Sequence, residues 1–75
     1  MHFPQYRKLS GGHKFYHILS NTEWEETYFI GNKPVTAKHV ATQLPERNFL
    51  LDLLEFREGN VEAISETEYN EAINR

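Results

Sequence analysis

The residues best suited to chemistry cluster early in the chain. His13 and His17 stand four apart, a spacing that on a helix sets two imidazoles on one face for a divalent ion. Phe15, Tyr16 and Ile18 between and beside them favour a strand instead. Four residues along a strand span roughly 13 Å, too far for one ion. The other two imidazoles, His2 and His39, would reach the pair only by chance pairing across strands. No metal and no cofactor is expected.

Hydroxyl and carboxylate chemistry finds no better footing. Ser20 and Ser65 each precede a Glu by three residues, so both hydroxyls are predicted to cap a helix rather than attack a substrate. Glu23, Glu25 and Glu26 read as a solvated first helical turn. No nucleophile elbow, phosphate loop or zinc-protease motif occurs. His and Glu are the only acid–base types on offer. A chain of 75 residues has little room for a deep pocket, and an enzyme ranks last among the functional classes.

The aromatic and basic residues of the first twenty positions say more. Phe3, Tyr6, Phe15 and Tyr16 interleave with Arg7, Lys8, His13, Lys14 and His17. Strand alternation sets Phe15, His17 and Leu19 on one face and Lys14, Tyr16 and Ile18 on the other. Both faces carry more aromatic area than one small core needs. The leading expectation is a non-enzymatic protein-interaction module, dimeric or bound to another protein, with Phe15, His17, Lys38 and His39 bordering the contact surface. A simpler account makes Phe15 a core residue. The alternative function is single-stranded nucleic-acid binding, with bases stacked on hairpin aromatics and phosphates tracked by its cations. The net charge of −3 opposes it. The charge is uneven: positions 1–43 hold five cations against three acids, and positions 44–75 hold three cations against eight acids. Acids on exposed helix faces account for that without a partner.

These side chains must be positioned by a small framework. One domain over 1–75 is expected, burying only roughly 60% of its unfolded surface. There is no cysteine, so a core must stabilise it without disulfides. No run is long and apolar enough to span a membrane, and cytoplasmic residence is the default. Leu44 to Arg57 is the most apolar stretch and reads as the central helix over Glu46–Glu55. Pro45 suits its first turn, and Gly59 is its left-handed stop. The rival is a strand over Phe49–Phe56, turning at Glu58-Gly59-Asn60.

Strands are predicted at Phe3–Leu9, His13–Leu19, Val35–Gln43 and Asn60–Ser65. Short helices are predicted to open at Ser20 and at Ser65. Leu19 and Trp24 form a hydrophobic staple at the first, and Tyr69, Ala72 and Ile73 line the inner face of the second. The two helix starts share a pattern, Leu19–Glu26 matching Ile64–Glu71, which local capping explains without an ancestral duplication. The predicted fold is α+β, a two-layer domain with a mainly antiparallel sheet of about four strands and three helices in the order ββαβαβα.

Overall fold

A computed structural model describes residues 2–57 and 59–74. The strands are β1 (Gln5–Leu9), β2 (Lys14–Ile18), β3 (Glu23–Ile30), β4 (Lys33–Val40) and β5 (Val61–Ile64); the helices are α1 (Leu44–Glu55) and α2 (Glu66–Ile73). The strands form one antiparallel sheet in the order β4-β3-β2-β1-β5. Consecutive hairpins build its first four strands. The chain then crosses through α1 from the β4 edge to the far edge, where β5 pairs with β1.

The class is α+β as the sequence predicts, but with five strands and two helices. The difference lies at Ser20. The local hydrogen bonds of a helix start are present: its hydroxyl accepts from the backbone N–H of Glu23 at 3.1 Å and of Thr22 at 3.2 Å. They turn the chain from β2 into β3 instead of opening a helix. Beyond them, Glu23–Ile30 is rich in aromatic and β-branched residues and alternates between two buried faces. Gly31 and Asn32 join Ile30 to Lys33. Gly31, at φ +63°, supplies the first central position of a type II′ hairpin turn. With Lys33 already in β4, the fourth strand begins before Val35 and ends at Val40, short of Gln43.

The central helix forms where the sequence places it, and extended backbone over Phe49–Phe56 does not occur. Pro45 stands in its first turn and Glu46 near its positive end. Its stop is Phe56, left-handed at φ 57°, three residues before Gly59. The rival turn includes Glu58, which lies outside the described residues.

Each helix covers one sheet face. On the α1 face, Leu50, Leu53 and Leu54 pack on Tyr16, Ile18, Trp24 and Val61. On the α2 face, Tyr69 and Ala72 pack on Phe15, with Tyr6, Phe29 and Ile64 around them. Among the described residues, no helix is long and apolar enough to cross a membrane.

Candidate functional site

The two-sided sheet divides the four residues expected to border one contact surface. Phe15 is 4% exposed, sealed under α2 with Phe29 edge-on at 6.1 Å. It is core, and the bare face expected around it is covered by α2. His17 shares that face. Its ring stacks on Tyr6 at 4.7 Å and its Nδ1 is 3.0 Å from Glu25 Oε1. Lys38 also lies on the α2 side, at the sheet edge, 3.4 Å from Glu23. His39, one residue on, points to the α1 side, across from Trp24. Strand alternation therefore sets Lys38 and His39 on opposite faces.

His39 does border a cleft. Its ring stacks on Trp24 at 5.2 Å with a 19° interplanar angle. Trp24 is buried, and Phe49 of α1 stands 5.7 Å from it on a tilt. β4 and the first turn of α1 fail to close over this pair. The cleft they leave, about 350 Å³, has Trp24 and Glu26 in its floor and His39, Pro45, Glu46 and Phe49 as walls. Ala37 lies directly across from Glu26, so the residue opposite the carboxylate brings only a methyl group.

Glu26 is the central charge of the cleft. Its Oε1 is 3.3 Å from Lys14 Nζ, and its Oε2 is 3.8 Å from His39 Nε2. The second distance is too long for a hydrogen bond, and the Tyr16 hydroxyl also engages this carboxylate. Burial, with the charge of Glu26 and a hydrogen bond to it adding, pushes the Tyr16 phenol up to about 12, so Tyr16 stands beside the carboxylate as a neutral donor. Glu46 sits in the first turn of α1 and offsets the roughly half charge of the helix's positive end.

Two larger hollows offer less. One of about 470 Å³, between the β1–β2 turn and α2, contains Lys8 and Glu68, which are already paired with each other at 2.8 Å. The other, about 430 Å³, lies at the hairpin ends and is lined largely by Gly12, Gly31 and neighbouring turn residues. Among the described residues, no three His, Asp or Glu side chains converge in an arrangement that could hold a metal ion.

The sequence pointed to His39 but not to Trp24 or Glu26 as its partners. The available signal was the alternation Trp24, Glu26, Tyr28 within a β-prone run, which a helical reading of Glu23–Tyr28 hides. Comparison of the chain with protein-family models, with curated proteins and with solved structures finds no match.

Proposed function

We propose that this chain is a non-enzymatic protein-interaction module whose recognition element is the cleft between β3, β4 and α1, and that the cleft takes a basic side chain of a partner protein. One observation carries the reading: Glu26, with Lys14 Nζ 3.3 Å from its Oε1 and His39 Nε2 3.8 Å from its Oε2, lies in a slot lined by His39, Pro45 and Phe49. Lysine and arginine match such a slot, because their apolar stems lie along apolar walls while the charged head meets a carboxylate. The aromatic rings add attraction for a cation.

Nucleic-acid binding has less support. Lys8, Lys14 and Lys38 each lie within 3.4 Å of a carboxylate, of Glu68, Glu26 and Glu23 respectively. Arg7 is buried. The hairpin cations thus do not form the bare basic face that phosphate binding uses.

The test is a titration with a blocked heptapeptide in which threonine and valine alternate around one central arginine, against a twin carrying citrulline. The chain has one tryptophan, and it lies in the cleft floor, so Trp24 fluorescence reads occupancy. The arginine peptide should shift it, and both Glu26→Gln and the citrulline twin should weaken binding about tenfold, the loss of one charge-assisted contact. Equal binding of the two peptides, or no Trp24 response at millimolar concentration, overturns the reading. A mass that doubles with concentration, with the cleft residues protected, would make a second copy the partner.

A further inference from the structure

We infer that the partner segment is an extended strand that adds to the open edge of β4, and that its residue opposite Ala37 delivers the basic side chain to Glu26. This rests on the cleft reading above and names how the ligand arrives. β4 is an eight-residue edge strand. The Ala41 N–H donates to the Thr22 carbonyl at 2.7 Å. By antiparallel alternation, Val35, Ala37 and His39 turn their backbone groups toward β3, and Thr36, Lys38 and Val40 turn theirs outward. Three successive outward N–H and C=O pairs are the template that strand addition uses.

Edges are normally guarded by proline and lysine. Here Pro34 stands at the hairpin end of β4, clear of Thr36–Val40. Lys38 is drawn to Glu23 of the neighbouring strand, 3.4 Å away. The guarded part of the edge is the tip, and the open part runs alongside the cleft.

Register then selects the side chain. A residue opposite Ala37 on an added strand forms a pair that is not hydrogen-bonded to β4, and its side chain points to the same face as that of Ala37. That face is the α1 side, where Ala37 lies beside Glu26. Glu26 is two strand spacings from the added strand, about 10 Å between backbones, with Ala37 between them in register. A lysine or arginine reaching over Ala37 meets Glu26 Oε2 with its stem against His39. The alternate residues of the added strand point to the α2 side, where Thr36, Lys38 and Val40 take uncharged or acidic neighbours. The inferred ligand is therefore an extended partner segment with a basic residue flanked by polar or acidic ones.

The experiment uses the same arginine heptapeptide on the full chain, with amide hydrogen exchange read residue by residue. Binding should slow exchange at Thr36, Lys38 and Val40 and leave the inward amides of Ala37 and His39 unchanged. Thr36→Pro removes one outward N–H and no β3–β4 bond, and should weaken the peptide about tenfold. Thr36→Val loses the same hydroxyl, which contacts Thr27 at 2.8 Å, but keeps the N–H, and should bind within about threefold of wild type. If the peptide still needs Glu26 while edge exchange is unchanged, strand addition is wrong and the cleft reading stands. If Glu26→Gln has no effect, the cleft reading itself falls, and this inference with it. Equal weakening by the two Thr36 variants, with no edge protection, also overturns strand addition.

Discussion

At the scale of single residues, Arg7 is the most committed side chain in the protein. It is only 6% exposed, and burial lowers its pKa from the usual arginine value. Its Nε donates to the Leu53 carbonyl at 3.1 Å and its Nη1 to the Tyr6 carbonyl at 2.9 Å, while Nη2 donates to Gln5 Oε1. Its guanidinium lies 4.5 Å from the Phe56 ring centroid. A cation thus meets the carbonyl-rich end of α1, where the helix dipole favours it. The same contact holds the ring of the left-handed residue that stops the helix. Arg7→Ala should therefore cost about 2–3 kcal/mol, since hydrogen bonds to a charged donor are worth more than neutral ones. Urea unfolding measures it, and a change under about 0.5 kcal/mol, the scale of an ordinary surface substitution, would show that the contacts are incidental. Nothing in the sequence marks Arg7 apart from the other hairpin cations, because the Leu53 carbonyl that anchors it lies 46 residues away in α1.

At the scale of elements, two similar segments meet different fates. Ser65 accepts from the Glu68 N–H at 3.0 Å and opens α2. Ser20 accepts from the Glu23 N–H at 3.1 Å and opens a strand. The expected outcome of Ser65→Ala is a loss of about 1 kcal/mol, and loss of amide protection should be confined to α2. Ser20→Ala should instead loosen the β2–β3 turn and lower protection in β3 and β4, the strands that carry the cleft. Matching protection patterns in the two variants would contradict this division. Capping chemistry is legible in both segments. The element beyond the cap is not, since Trp24 and Tyr28 are spaced for a helix face while the run they belong to is β-prone. Pairing with β2 on one side and β4 on the other decides between them, by giving the facing backbone groups of β2 and β4 partners that a helix, bonded within itself, would not offer.

At the scale of the whole molecule, three tyrosines tie stability to pH. Burial is the largest cause of a raised pKa at Tyr6, Tyr16 and Tyr69, and for Tyr16 the value reaches about 12. Each phenol holds its proton more tightly in the folded chain than in the unfolded one. Stability from these groups is complete below the ordinary tyrosine value near 10 and falls as pH rises through it, for Tyr16 until about 12. The urea midpoint should be lower at pH 11 than at pH 8, and Tyr16→Phe should reduce that difference. An identical pH dependence in Tyr16→Phe and wild type would remove Tyr16 from the account. Ion pairs extend across the molecule too: Lys8 of β1 meets Glu68 of α2 at 2.8 Å, so part of the charge asymmetry between the two halves cancels on folding. Such exposed pairs contribute little to stability, but they decide which cations remain open to a partner.

The class, the first hairpin, the central helix and the capped last helix were all legible in the amino-acid sequence, because each rests on short-range physics: alternation, a proline in a first turn, a hydroxyl three residues before a backbone N–H. Of the residues lining the cleft, only His39 was singled out by the sequence, and as the border of a different surface. Three outcomes needed the folded chain: Glu23–Ile30 is a strand, α1 and α2 take opposite faces, and Phe15 is sealed while Trp24, Glu26 and His39 converge. They depend on which strands lie side by side and on which face each helix crosses. Such choices are made by long-range burial and backbone pairing, energies that no local window of residues contains.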